Sequence, residues 1–291
     1  MMIYACVGPT ASGKTSLAIE LAYALHAPIV NADAFQVYRG MNIGTNKDLR
    51  LFKGIPHYLF DLVEPKDGYT VAQYQRAFRT LMTQLQPEKN PVIVVGGTGL
   101  YIKASLYDFA FETHEKAVDL TRYLAMDDAQ LYAALQAIDA VSAETIHPHN
   151  RRRVLRAIEI YLATGKTKSE TIAIQQKRLL YPVQFIGLNP NRERVYEAIN
   201  ARVVTMVEAG LVNEVSQLLK TTPPDAFAFD AIGYKETIAY LQGSLKKEEW
   251  IANIQQATRR YAKRQWTYFH HQLPVTWFST IAEAKESCFH G

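Results

Sequence analysis

Short, continuously apolar runs alternate along the chain with longer segments whose apolar residues recur at helical spacing, the pattern of strands buried on both faces and joined by helices. The runs are Ile3-Tyr4-Ala5-Cys6-Val7, Pro28-Ile29-Val30-Asn31, His57-Tyr58-Leu59-Phe60-Asp61, Pro91-Val92-Ile93-Val94-Val95 and Val183-Gln184-Phe185-Ile186-Gly187-Leu188. A first helix begins near Thr15 and ends near His26. Val71, Tyr74, Phe78, Leu81, Met82 and Leu85 share a face and predict a second that stops before Pro87. From about Phe111 to Ile146 the strand signal gives way to weakly amphipathic, charged segments, which predict a helical insertion. Pro148-His149-Asn150 then opens a helix running to Ala163, with Gly165 beyond its end. Asn191 caps a long helix ending at Gly210, with Val195, Ile199, Val203 and Met206 as its buried stripe and Arg192, Arg194 and Arg202 off it. Ile232-Gly233-Tyr234-Lys235-Glu236 begins another, and a last helix spans about Ile251 to His270. The expected class is α/β: a parallel-sheet core over residues 1–110 and 183–291, and a mainly helical insertion over residues 111–182.

One strand-to-helix connection carries recognisable chemistry. Gly8-Pro9-Thr10-Ala11-Ser12-Gly13-Lys14-Thr15 fits G-x-x-x-x-G-K-[ST] and follows an apolar strand. Its backbone N–H groups would wrap a phosphate, the helix N-terminus points positive potential at the same spot, and Lys14 adds a full charge. Thr15 is then placed to ligate Mg²⁺. The core is therefore expected to be P-loop NTPase-like and to bind a diphosphate or triphosphate. The second run delivers Asp33, followed by Gln36 and Tyr38, at the sheet edge that faces ligands in open α/β sheets. The loop Arg39 to Lys47 is polar and glycine-punctuated. The fourth run ends in Gly96-Gly97-Thr98-Gly99, where a phosphoryl-transferring NTPase usually has an acid for Mg²⁺.

Composition narrows the class further. The chain has 291 residues, 48% apolar and 21% charged, without repeats or low-complexity tracts, as in globular domains. Two cysteines, Cys6 and Cys288, make no disulfide framework and point to a reducing compartment. The first strand starts at residue 3, leaving no room for a signal peptide, and no apolar run reaches membrane-spanning length, so a cytoplasmic protein that uses no membrane is expected. A formal net charge of +4 is mild, but its carriers cluster. Arg151, Arg152, Arg153 and Arg156 crowd one turn; Arg259, Arg260, Lys263 and Arg264 interleave with Tyr261, Trp266, Tyr268 and Phe269. Cations beside aromatics suit RNA phosphates and bases, while a solvated basic stripe over a packed aromatic face gives the same pattern. The residues alone leave open a small-molecule kinase, with Asp33 as base and Asp61 as acidic strand end, and a nucleotide-switched RNA-binding protein.

Seven blocks taken together resemble the tRNA dimethylallyltransferase family: the Gly8–Thr15 loop, Asn31-Ala32-Asp33-Ala34-Phe35-Gln36-Val37-Tyr38, Gly40-Met41-Asn42-Ile43-Gly44-Thr45, Gly96-Gly97-Thr98-Gly99-Leu100-Tyr101, Arg152-Arg153-Val154-Leu155-Arg156-Ala157, Ile232-Gly233-Tyr234-Lys235-Glu236 and Tyr261-Ala262-Lys263-Arg264-Gln265. The resemblance spans nearly the whole chain. It implies transfer of a dimethylallyl group from dimethylallyl diphosphate to the exocyclic amine of the adenosine 3′ of the anticodon, in tRNAs reading codons that begin with U, with isopentenyladenosine and diphosphate as products. It implies that Gly8, Pro9, Thr10, Ala11, Ser12, Gly13, Lys14 and Thr15 bind the diphosphate, with Mg²⁺ on Thr15. Arg202 would join them, Thr98 would reach the bridging side, and Asp33 would act as general base. Asp33, Ala34, Phe35, Gln36, Arg152, Arg153, Arg156, Arg260, Lys263 and Arg264 would contact the anticodon stem-loop, with the insertion on the anticodon arm and the protein a monomer. Two positions depart from the family's pattern. Ala34 stands where a serine is usual, and the helical insertion is shorter.

Overall fold

The computed structural model describes residues 2–111, 118–174 and 178–289. The expected insertion therefore falls partly outside the described residues, at 112–117 and 175–177. The chain opens with β1 (Ile3–Val7), α1 (Lys14–Leu25), β2 (Ile29–Asn31), β3 (His57–Tyr58), α2 (Val71–Leu85), β4 (Val92–Gly96) and α3 (Gly99–Leu106). It continues through α4 (Thr121–Leu124), α5 (Asp128–Ile138), α6 (Ala140–Thr145), α7 (Arg151–Thr164) and α8 (Lys168–Ile174). It then returns with β5 (Val183–Leu188), α9 (Arg192–Glu208), α10 (Leu211–Leu218), α11 (Tyr234–Leu241), α12 (Lys247–Gln272), β6 (Thr276–Phe278) and α13 (Ile281–Phe289).

The strands form one sheet in the order β3-β2-β4-β1-β5-β6, every pairing parallel. Both faces are covered, which is why the central strands read as unbroken apolar runs. On one face Ile3, Ala5 and Val7 of β1 join Val30, Val92 and Val94 against Tyr74, Phe78, Ile102, Trp250 and Phe269. On the other, Cys6, Ile29, Ile93 and Ile186 meet Leu17, Ala18 and Leu21 of α1 and Ala284 and Cys288 of α13. Alternate residues of β1 thus serve opposite layers, the period of two that a strand imposes. Both cysteines are free and buried. The order reverses around β1, so its C-terminal end lies at the crevice where such sheets bind ligands.

Three readings of the sequence are corrected. The third run keeps only His57–Tyr58 as strand, because Leu59 and Asp61 take φ of 63° and 50° and turn the chain away. The last predicted helix starts earlier, at Lys247, where Trp250 and Ile254 continue its buried stripe. It is also not the last element, since β6 and α13 follow.

The chain divides into two compact units, residues 1–107 with 179–291, and residues 108–178. The boundaries lie a few residues away from 110 and 183 because Leu180 N–H donates to Leu106 O and Tyr107 bridges Leu179. The second unit has its own core of Leu131, Leu135, Ala143, Ile146, Val154, Ala157 and Ile158. Within it the Asp139 carboxylate accepts from Ser142 N at 2.9 Å, capping α6, and from Ser169 N at 3.0 Å in α8. Among the described residues no helix is long and apolar enough to cross a membrane.

Candidate active site

The loop after β1 is built to expose backbone donors. Gly8 and Gly13 sit at φ of 141° and 92°, conformations costly for other residues, and Gly13 leads straight into α1 without a side-chain cap. The first N–H groups of α1 are thus left for a ligand. Lys14 Nζ donates to Pro9 O at 3.1 Å, folded back over the loop. Burial pushes its pKa down to about 8; the charge of Asp33 opposes the shift and that of Arg202 adds to it. Arg202 reaches in from α9, donating from Nη1 to Thr10 Oγ1 at 2.8 Å. Burial lowers its pKa to about 10, again opposed by Asp33. Ser12 Oγ and Arg202 Nε are buried without a hydrogen-bond partner. Two desolvated cations beside unspent donors form a site suited to an anion.

Opposite the loop, the ends of β2 and β4 carry Asp33 and the glycine turn. Asp33 is pinned: its N–H donates to Asn31 Oδ1 at 3.0 Å, its Oδ1 accepts from Phe35 N at 3.0 Å, and Asn31 Nδ2 ties the turn to Leu59 O at 2.9 Å. The glycine ending of β4 has a steric cause. A Cβ on Gly96 would lie 2.1 Å from Ala32 O, and one on Gly97 would lie 2.3 Å from Gln265 Nε2. Gln265, on α12, donates to Gly97 O at 2.9 Å and accepts from Thr10 N at 2.8 Å, clamping the phosphate loop to the glycine turn. Its individual role escaped the sequence reading; the only signal was its place in the Tyr261–Gln265 block.

A cavity of about 250 Å³ opens between these pieces, lined by Thr10, Lys14, Thr15, Asp33, Phe35, Gln36, Arg202, Tyr261, Arg264 and Gln265 among others. Gln36 is oriented by its Nε2 donating to Thr45 O at 3.0 Å, and Phe35 stacks on Phe227 with centroids 6.1 Å apart. Thr98 does not line the cavity with them. Its hydroxyl accepts from Ala34 N at 3.0 Å and faces the Tyr261 phenol, whose pKa burial and the charge of Asp33 push up. Ala34 is therefore held through its backbone. On α12, Arg260, Lys263 and Arg264 are exposed, and the last two line a shallow groove with Thr267, Tyr268, His271 and Gln272. Trp266 and His270 of α12 pack against Trp277 of β6, the His270 ring stacked on Trp277 at 4.3 Å. In the second unit Arg152, Arg153 and Arg156 are exposed on α7, with Arg156 donating to Glu159 at 2.7 Å. Nearby Lys168 has its pKa lowered by burial and then by the charge of Arg153.

The family model for IPP transferase matches residues 36–272. The chain belongs to the IPP transferase family. It is 45% identical over 275 residues to a tRNA dimethylallyltransferase of Anoxybacillus flavithermus, a match covering 94% of this chain and 88% of that protein. It is similar to the crystal structure of a tRNA delta(2)-isopentenylpyrophosphate transferase from Staphylococcus epidermidis, with 36% identity, a TM-score of 0.73, and coverage of 99% of this chain and 97% of that one. It also resembles a eukaryotic dimethylallyltransferase acting on tRNA, with 28% identity and a TM-score of 0.82 over 97% of this chain and 75% of that one. The expected family and the α/β class with its parallel sheet are both borne out.

Proposed function

We propose that this IPP transferase moves a dimethylallyl group from dimethylallyl diphosphate to the exocyclic amine of an adenosine in tRNA, releasing diphosphate. The observation that carries the reading is a single cavity lined by Lys14, Arg202 and Asp33, with the carboxylate close enough to act on both cations. An allylic C–O bond ionises readily once its leaving diphosphate is stabilised, so catalysis needs preorganised positive charge on the diphosphate and an amine held in line. Lys14, the loop N–H groups, Ser12 and Arg202 supply the first. As the C–O bond breaks and the N–C bond forms, the amine sheds a proton to Asp33, the positioned general base. Gln36 and Phe35 receive the extruded base, which must leave its stack to enter a pocket. Thr98 contributes by holding the Ala34 backbone next to Asp33.

A hard cation fits the loop. Thr15 lines the cavity beside Lys14, and Mg²⁺ characteristically takes few protein oxygens, completing its shell with water and phosphate oxygens. Among the described residues no cluster of three or more His, Cys, Asp and Glu forms a metal cage. Thr15 would hold the ion, which when bound would neutralise part of the diphosphate charge. Arg260, Lys263 and Arg264, with Arg152, Arg153 and Arg156 of the insertion, are proposed to bind phosphates of the anticodon arm, placing the adenosine 3′ of the anticodon at the cavity in tRNAs reading codons that begin with U. The protein is further proposed to act as a monomer. Incubating the protein with Mg²⁺, unmodified tRNA and either prenyl-labelled dimethylallyl diphosphate or γ-labelled ATP tests the reading. Prenyl label in tRNA is the expected result; phosphoryl label in a small alcohol would instead identify a kinase.

A further inference from the structure

Thr45, whose carbonyl orients Gln36, belongs to a loop held from behind by a carboxylate and a phenol. Glu214 Oε2, on α10, accepts from Asn42 N at 2.9 Å and Ile43 N at 2.7 Å, and its Oε1 accepts from Gly44 N at 3.2 Å and from the Tyr234 hydroxyl at 2.7 Å. The phenol oxygen of Tyr234, on α11, in turn faces the N–H groups of Gly44 and Thr45. The fit is close, because a Cβ on Gly44 would lie 2.3 Å from the Tyr234 ring. Successive backbone donors of residues 42–45 thus converge on one side-chain pair, a concavity of the kind that binds anions. Lys47 secures the far end of the loop, donating to Tyr38 O at 2.7 Å and pairing with Asp61.

The consequence reaches the cavity through Gln36. A backbone carbonyl only accepts, so the Gln36 atom facing Thr45 O must be the amide nitrogen. One Nε2 hydrogen is thereby spent on Thr45, and Oε1, an acceptor, is turned away from that carbonyl, where it can meet a base on the cavity wall. We propose that Glu214 is a positioning residue: with Tyr234 it fixes the 42–45 loop, the loop carbonyl fixes the Gln36 amide, and the site thereby selects a base that offers an N–H donor. A displaced loop would let the amide turn over and present its NH₂ to the amine. The inference rests on the reading of Gln36 as a contact to the acceptor base.

A double-mutant cycle on transfer to an unmodified anticodon stem-loop, at saturating donor, tests it. Gln36→Ala should lower kcat/KM for the stem-loop by about 100-fold, the usual cost of a misplaced acceptor. Glu214→Gln should cause a loss of similar size with donor affinity unchanged, and Gln36→Ala/Glu214→Gln should be no worse than Gln36→Ala alone. Tyr234→Phe, a milder change to the same clasp, should show a smaller loss that also vanishes in the Gln36→Ala background, and it carries the cycle if Glu214→Gln does not fold. Losses that multiply with that of Gln36→Ala, or a clasp variant within about twofold of wild type, would make the carboxylate a structural staple and overturn the proposal. A silent Gln36→Ala would overturn the reading of Gln36 itself, and the proposal with it.

Discussion

The depressed pKa of Lys14 predicts how donor binding depends on pH. In the free site burial holds that ammonium at about 8, against an ordinary value of 10.5. A bound diphosphate supplies the opposite charge that burial removed, so the pKa rises on binding and the protonated form is the one that binds. The sign follows: below pH 8 the lysine is charged with or without ligand and affinity is flat, while above it the free enzyme must take up a proton to bind. Affinity for a non-hydrolysable allylic diphosphate analogue should therefore fall about 30-fold between roughly pH 7 and 9.5, close to tenfold per unit once past the free pKa. The analogue's own last phosphate pKa, near 6, lies below this window. Calorimetric titration in buffers of different ionisation enthalpy should register proton uptake at the upper end. Lys14→Met should bind more weakly at neutral pH and lose both the slope and the uptake. A wild-type affinity that stayed flat to pH 9.5, or a Lys14→Met variant with the same slope, would refute the assignment of the desolvated charge to the diphosphate.

Asp33→Asn, whose amide oxygen can still accept from Phe35 N, should keep the fold but lower the single-turnover rate by about two to four powers of ten, the worth of a positioned base; near wild-type turnover would remove Asp33 from that role. Gln265→Ala strands Thr10 N–H and Gly97 C=O, and urea unfolding should show a loss of roughly 1–3 kcal/mol together with weaker donor binding; an unchanged midpoint would mean that the clamp carries no energy. Arg260→Ala/Arg264→Ala should weaken stem-loop binding and reduce the slope of log affinity against log salt by about 1.5, as two phosphate contacts are lost. Its stability should stay within about 0.5 kcal/mol of wild type, since both side chains are exposed. An unchanged salt slope would leave the α7 arginines as the RNA contact.

What was legible in the sequence followed strong periodicity or a motif with a mechanism. β1, the phosphate loop and α1 were readable because the apolar strand, the glycine spacing and the helix that follows agree. β4, β5, α2 and α9 were readable from buried runs or stripes. What escaped depends on tertiary contact. β6 has three residues, too few for a period, and is a strand only because Ile186, Gly187 and Leu188 of β5 pair with it. Periodicity alone makes Arg202 an off-stripe cation on α9; its expected place at the diphosphate came from the family resemblance, and only the fold shows it turned to Thr10. The glycines after β4 suggested a missing acid, but nothing in the sequence showed that Gln265, far along the chain, fills the space beside Gly97. Glu214 is likewise one more helix-surface acid until Asn42, Ile43 and Gly44 are seen to donate to it.

If Lys14 and Arg202 hold an allylic diphosphate while Asp33 takes the proton of an adenosine amine, diphosphate release and prenyl transfer are one event. The most direct test is a single-turnover reaction of wild-type protein, Mg²⁺, limiting dimethylallyl diphosphate radiolabelled in its β-phosphate, and unmodified anticodon stem-loop, quenched at intervals. Diphosphate and prenylated nucleoside are counted in the same samples. The two should appear together, one for one, with the prenyl group on the exocyclic amine of the adenosine 3′ of the anticodon. Diphosphate release without prenylated adenosine, or label released as inorganic phosphate, would contradict that coupling.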